Sequence, residues 1–268
     1  MMESTMSATQ ELMVEEIGAV CTIKFNRPEK RNLLTPDMLL ELERTLKRLR
    51  EEDKARCVVL RGSGDKAFSS GYDISAIGED DMIRNHEGDN PLPMAVRAIE
   101  EFPYPVVAMM NGHAFGAGLE IAVTSDIRVS VQGSLLGMPP AKLGVVYSYR
   151  GVKKFLNLIG PGYTKELFLI GEAISSERAA EIGLVNFLVP RHEIEKFVYG
   201  IAGEIAENAP LSLKALKEMT NVWKRNQTLS PEDEKLLKKI TLCVQNSADY
   251  KEGQKAFKEK RKPVFKGE

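Results

Sequence analysis

The chain has no run approaching the roughly 18 consecutive apolar residues that a membrane-spanning helix needs. It has only three cysteines, Cys21, Cys57 and Cys243, and no CxxC pair. An odd number at scattered positions excludes a disulfide framework and fits a reducing compartment. The three histidines, His86, His113 and His192, are equally scattered, so no metal site is expected. Neither sign of charge dominates, with 37 Lys and Arg against 38 Asp and Glu, which argues against nucleic acid or an anionic membrane as the main partner. A basic region followed by an apolar one is missing from the start. The first ten residues, polar and Met-rich, read as a loose tail, and the cytoplasm is the expected location. There is no internal repeat and no low-complexity segment.

What is present is a chain of 268 residues, 43% of them hydrophobic, enough for one sizeable core with a smaller appended region. Residues 12–25 alternate as two short strands around Gly18, with Cys21, Ile23 and Phe25 on one face. Thr35-Pro36 opens a helix, with Thr35 as N-cap and Leu42, Leu46 and Leu49 at helical spacing. Cys57-Val58-Val59-Leu60 and residues 105–111 read as strands buried on both faces. Residues 112–118 form a glycine-bearing turn, 119–125 a short helix and 126–131 another strand. Strands alternating with helices predict an α/β fold with a mainly parallel sheet. Residues 78–93 read as a polar, irregular surface loop. Beyond Val189 only helices are expected, over 193–208, 211–226, 231–246 and 248–260. They read as a separate layer that packs on another subunit or closes the site. The expected organisation is a tail over 1–10, a core over 11–205 and a helical region over 206–268.

Two turns share a design. Phe68-Ser69-Ser70-Gly71-Tyr72-Asp73 and Phe115-Gly116-Ala117-Gly118-Leu119-Glu120 each contain glycine and belong to buried strand–turn segments. Small residues let a ligand approach the backbone, and a helix start leaves N–H groups unpartnered. Two such turns on neighbouring strands can aim two N–H donors at one oxygen, an oxyanion hole. They can also serve packing alone, and spacing leaves both readings open. Ser69 and Ser70 lack the flanks of a nucleophile elbow, and Gly112-x-x-x-Gly116-x-Gly118 is not the dinucleotide fingerprint.

Asn26-Arg27-Pro28-Glu29-Lys30-Arg31-Asn32, then Lys66 through Ile74, then Pro105 through Glu120 resemble, in order and separation, the enoyl-CoA hydratase/isomerase (crotonase) superfamily. The resemblance continues through Ala179-Ala180-Glu181-Ile182-Gly183-Leu184-Val185 to Phe257 through Pro263, nearly the whole chain. It implies a crotonase fold: a spiral of ββα units, with a C-terminal helical region that assembles homotrimers or dimers of trimers. It implies an acyl-CoA substrate, and no cofactor beyond the coenzyme A that the substrate carries. It implies oxyanion donors at the backbone N–H groups of Tyr72 and Ala117. It also implies coenzyme A contacts around Lys30, Lys66, Ala67, Ser70, Asp73 and Ile74, with Phe257 and Lys260 added from a neighbouring subunit.

Hydratases of that superfamily hold water between two glutamates. Glu120 matches the first, but Pro140 stands at the second, and proline cannot transfer a proton. The run Leu143-Gly144-Val145-Val146-Tyr147 and the C-terminal Ala248 to Lys262 resemble the methylmalonyl-CoA decarboxylase branch, in which Tyr147 matches a tyrosine beside the substrate carboxylate. Tyr72 stands where that branch has histidine, which leaves the N–H donor in place but changes the side chain. Glu120 working alone, as in the isomerases, is the alternative. Its bland reading is a charge that favours the helix dipole.

Overall fold

The computed structural model describes residues 11–73, 90–225 and 230–267. The chain opens with the expected hairpin, β1 (Leu12–Ile17) and β2 (Val20–Phe25), turned at Gly18 with φ +58°. Cys21, Ile23 and Phe25 are fully buried. Thr35 caps α1 (Pro36–Glu52) by accepting the Met38 N–H, and Leu42, Leu46 and Leu49 face the core. Each such leucine is worth about 1.5–3 kcal/mol of burial.

β3 (Cys57–Gly62) runs parallel to β2, followed by β4 (Ala67–Ser69), α2 (Pro91–Glu101), β5 (Val106–Met110), β6 (His113–Phe115), α3 (Ala117–Thr124) and β7 (Ile127–Val131). Then come β8 (Leu135–Gly137), α4 (Tyr149–Lys165), a π-helical stretch over Glu166–Ile170, β9 (Ile174–Ser175), α5 (Ser176–Glu181) and β10 (Phe187–Val189). The chain ends in α6 (Ile194–Glu207), α7 (Pro210–Arg225), α8 (Pro231–Gln245) and α9 (Ala248–Lys258). Among the described residues no helix is long and apolar enough to cross a membrane.

The strands make two sheets. The larger has the order β1-β2-β3-β5-β7-β10 and is parallel except at β1–β2. The smaller has the order β4-β6-β8-β9 and is parallel except at β8–β9. The two-sided burial expected of β3 and β5 is observed. Val58, Leu60, Val106, Ala108 and Met110 join the main core, whereas Cys57, Val59, Val107 and Met109 join a second one under α6. Burial in these strands pushes the Cys21 and Cys57 thiols up to about 12, so neither is a reactive thiolate.

Three expectations need correction. Residues 112–118 are not all turn: β6 lies within them and is the second strand of the smaller sheet. Three residues are too few to show a period-2 pattern. Residues 91–93 begin α2 under an Asn90 cap, and 78–89 lie outside the described residues, as does the expected tail over 1–10. The helices after Val189 are not all a detached layer. α6 covers the larger sheet through Val198, Ala202 and Ile205. α7 is tied to the core by the buried Lys217, whose Nζ donates to Asp126 Oδ2 (2.7 Å) and the Tyr104 carbonyl (2.9 Å).

Candidate active site

Parallel pairing of β4 with β6 sets the two glycine turns side by side. Gly71 has φ +106°, and a methyl group on it would stand 3.1 Å from the Phe115 carbonyl oxygen and 3.8 Å from the Ala117 nitrogen. Gly116 turns with φ +51°, and Gly118 lets α3 start against Ser69, where a methyl group would meet Ser69 Cβ at 2.5 Å. Ser69 Oγ accepts the Gly71 N–H at 3.1 Å. The Gly71 carbonyl and the Asp73 N–H both bond Leu34, at 2.8 Å each, and so bracket Tyr72. Ala117 is the first residue of α3, where an N–H has no acceptor within the helix. Tyr72 and Ala117 are thus on adjoining turns, at the start of a helix whose dipole favours negative charge.

α3 is buried along its whole length, and Glu120 goes in with it at 6% exposure. Tyr147 immediately precedes Ser148, the N-cap of α4. Its ring and the Glu120 carboxyl lie side by side against Gly151, and the two groups act on each other electrostatically. Burial raises Glu120 above the ordinary glutamate value, against the opposing pull of Lys154 and of the Tyr147 hydroxyl. Burial and then the Glu120 charge push Tyr147 well above an ordinary tyrosine. The phenol therefore stays protonated. Gly151 is what lets α4 come this close: a methyl group there would stand 2.9 Å from Tyr147 Cδ1 and 3.2 Å from Glu120 Oε1. The Tyr147 ring meets Phe168 edge-on at 5.8 Å, and Phe168 meets Phe155 at 5.0 Å, giving the pair an aromatic wall. Pro140 brings no titratable group. Its carbonyl accepts the N–H groups of Leu143 and Val145.

The residues expected to hold coenzyme A divide into three sets. Ser70 closes on the 27–32 loop, its N–H on the Arg31 carbonyl (3.0 Å) and its Oγ on the Lys30 carbonyl (3.3 Å). The Ala67 carbonyl accepts from Asn32 Nδ2 (2.7 Å), and the exposed Lys66 accepts the His113 N–H through its carbonyl. Asp73 is buried in an ion pair with Arg27 at 3.3 Å. Lys30, Lys66, Ala67, Ser70 and Asp73 therefore share one neighbourhood, whereas Ile74 lies outside the described residues. Phe257 and Lys260 belong to a different place. α9 packs on the 3-10 turn Ala141–Leu143, with Gly253 against the Leu143 carbonyl, and leaves the Phe257 ring 56% exposed. His113 is structural here, its Nδ1 accepting the Leu135 N–H at 2.9 Å.

Four residues of the site escape a reading of the sequence: Glu100, Arg150, Gly151 and Lys154. Arg150-x-x-x-Lys154 puts two cations on one helical face, the only local signal, and their partner Glu100 comes from α2. No group of three or more His, Cys, Asp and Glu able to hold a metal ion occurs among the described residues.

A family model described as enoyl-CoA hydratase/isomerase matches residues 15–268. The chain is 33% identical to the methylmalonyl-CoA decarboxylase of Escherichia coli (strain K12), over 96% of its own length and 98% of that protein. It is 32% identical to the short-chain-enoyl-CoA hydratase of Clostridium acetobutylicum, over 78% and 80% of the two lengths. A solved methylmalonyl-CoA decarboxylase in complex with 2-nitronate-propionyl-CoA superposes with a TM-score of 0.91 at 33% identity, covering 97% of this chain and 100% of that one. An enoyl-CoA hydratase from Bacillus anthracis superposes with a TM-score of 0.74 at 32% identity, covering 97% and 100%.

Proposed function

Because the chain belongs to the enoyl-CoA hydratase/isomerase family, and is thereby an enzyme of acyl-CoA thioesters, we propose that it decarboxylates a malonyl-type acyl-CoA such as methylmalonyl-CoA. The observation that carries the reading is that Tyr147 and Glu120 come together at Gly151, in a chain that has Pro140 at the position matching the hydratases' second glutamate. The better superposition on a decarboxylase than on a hydratase supports it.

In the proposed reaction the thioester oxygen lies between the N–H groups of Tyr72 and Ala117. The bond from the α-carbon to the carboxylate breaks, its electron pair moves into the thioester as an enolate, and carbon dioxide leaves. The two N–H donors and the positive end of α3 stabilise the enolate oxygen. The α-carbon then takes one proton. With substrate bound, the Tyr147 hydroxyl turns from Glu120 to orient the leaving carboxylate, or delivers that proton and regains one from solvent, while Glu120 stays beside it. No strong base is needed, which suits a site with one glutamate. Coenzyme A is held around Lys30, Lys66, Ala67, Ser70, Asp73 and Ile74, and no cofactor beyond that coenzyme A is required.

The assembly proposed is a homotrimer or a dimer of trimers. Leu216, Met219 and Trp223 line one face of α7 at 62%, 65% and 59% exposure, a stripe that a partner subunit would cover. Phe257 and Lys260 would then reach a neighbour's nucleotide.

A second reading, enoyl-CoA hydratase/isomerase activity, is favoured by the buried, raised Glu120, which suits moving a proton between carbons. Mass spectrometry after incubation with methylmalonyl-CoA and, separately, crotonyl-CoA separates the two. Loss of carbon dioxide from the first supports the decarboxylase. Fast addition of water to the second, with the first untouched, overturns it.

A further inference from the structure

α4 carries two cations one helical turn apart, and both grip the same carboxylate of α2. Arg150 Nη2 lies 3.1 Å from Glu100 Oε2, and Lys154 Nζ lies 2.7 Å from Glu100 Oε1. Exposed pairs of this kind are worth little, but the Lys154 side chain is only 10% exposed. A lysine this enclosed must be matched by negative charge. Arg150, 51% exposed, is left largely to solvent, so Lys154 is the enclosed cation of the cluster. A second carboxylate, Glu120, is close by: Gly151, one helical turn before Lys154, lies against Glu120 Oε1, and the Lys154 charge acts on that carboxyl through space. With Glu100 and Glu120 both ionised, the four side chains are neutral as a set.

We propose that Lys154 is a positioning residue of the site: it balances the buried Glu120 carboxylate, and so holds it beside the Tyr147 hydroxyl, while Glu100 tempers that attraction from α2. The inference rests on Glu120 and Tyr147 as the working pair of the proposed reaction. Other titratable groups on the surrounding elements do not share the task. Arg97 and Glu101 of α2 line a groove facing Glu43, Lys47 and Arg50 of α1. β6 brings His113, bonded to Leu135, and β4 and β5 bring none. Asp73 is held by Arg27.

The two neighbours act on Glu120 with opposite sign. Lys154 favours its ionised form, and Glu100 disfavours it. A pair that merely clamped α2 to α4 would behave symmetrically, since loss of either partner breaks the same clamp.

The test is the titration of Glu120 itself, read by NMR of protein carrying ¹³C in the glutamate side-chain carboxyl. The Glu120 resonance is identified by its absence from Glu120→Gln. Lys154→Met should raise the Glu120 midpoint by about 1 pH unit or more, Lys154→Arg should bring it back toward the parent, and Glu100→Gln should lower it. Shifts of the same sign in Lys154→Met and Glu100→Gln, or no shift in either, overturn the inference. Should Lys154→Met fail to fold, Lys154→Gln takes its place with the same expected rise, and the fall in Glu100→Gln decides with it. If the midpoints move as expected but the pH profile of decarboxylation does not follow them, the positioning role stands and the catalytic role proposed for Glu120 falls.

Discussion

The half-buried Tyr147 ring and the buried Glu120 carboxyl meet at Gly151, where α3 meets the start of α4: a methyl group on that glycine would touch both. A phenol raised this far does not ionise, so its loss removes a hydroxyl donor without adding a charge. Tyr147→Phe should lower kcat for decarboxylation on the order of 10²- to 10⁴-fold, the usual worth of a positioned acid or base. KM should change little, because the residues around Lys30 and Ser70 do not touch the ring. Steady-state kinetics on methylmalonyl-CoA checks both numbers. A parallel rise in KM would mean that the ring shapes the acyl pocket instead.

Burial raises Glu120, and this fixes the sign of two pH effects. If the carboxylate form is required, activity falls as pH drops through a midpoint above the usual carboxylate range, so the acid limb should lie higher than for an ordinary glutamate. Stability runs the other way. A carboxyl whose folded value exceeds its unfolded one stabilises fully below the unfolded value, about 4.3, and that contribution is lost as pH rises through the folded one. Glu120→Gln, neutral at every pH, should therefore melt above the parent at pH 8, and the gap should close toward pH 4. Thermal melts at four or five pH values test this. A gap that is constant with pH would mean that the amide simply packs better.

Gly151 stands where α4 touches both members of the pair. Gly151→Ala puts a methyl group 2.9 Å from the Tyr147 ring and 3.2 Å from Glu120, so one of them must move. Helix propensity gains about 0.5–1 kcal/mol from the change, overpacking costs about 1–3 kcal/mol, and the net should be destabilising. The kinetic loss should resemble that of Tyr147→Phe. Gly200→Ala on α6, where nothing lies within 4 Å, is the control and should be neutral or stabilising. Urea denaturation of the two variants supplies the comparison.

The fold was legible where one residue type answers to one local rule. Thr35 was readable as a cap, and it accepts the N–H three residues on. Cys57 to Leu60 was readable as a strand buried on both faces because no polar residue interrupts it. Short elements were not legible. β4, β6 and β8 have three residues each and draw their identity from pairing with one another across the chain. The glycine turns and Glu120 were visible through family resemblance, whereas Lys154 was not. Its meaning depends on Glu100, 54 residues earlier, and on the burial of both, which no local pattern encodes.

The separation of the two turns depends on Gly71. Its φ of +106° is one that L side chains rarely adopt, and a methyl group there would press the Phe115 carbonyl at 3.1 Å, the peptide just before Gly116 and Ala117. Gly71→Ala should twist the Tyr72 and Ala117 N–H groups out of alignment. Loss of one such donor costs about 10²- to 10³-fold in kcat. Binding of a non-reactive acyl-CoA, followed by calorimetry, should survive with the fold intact by circular dichroism. Unchanged turnover in a folded variant would remove these turns from the reaction.

The last expectation concerns α7, which has two unlike faces. Leu213, Lys217 and Asn221 point inward, with Lys217 on Asp126 and Asn221 Nδ2 on the Glu100 carbonyl at 3.0 Å. Leu216, Met219 and Trp223 point outward, and exposed apolar stripes of this kind mark interfaces. Because the inner face holds α7 on its own subunit, charges on the outer face should break the assembly without unfolding the protomer. The double variant Leu216→Glu, Trp223→Glu should sediment as a monomer with an unchanged circular dichroism spectrum, against a parent trimer or hexamer. If Phe257 and Lys260 serve a neighbour's nucleotide, the monomer should also show a raised KM for acyl-CoA with kcat little altered, because Glu120, Tyr147 and both glycine turns come from one chain. A parent that already sediments as a monomer would sink the assembly and the shared nucleotide site together, and leave the chemistry proposed within the chain untouched.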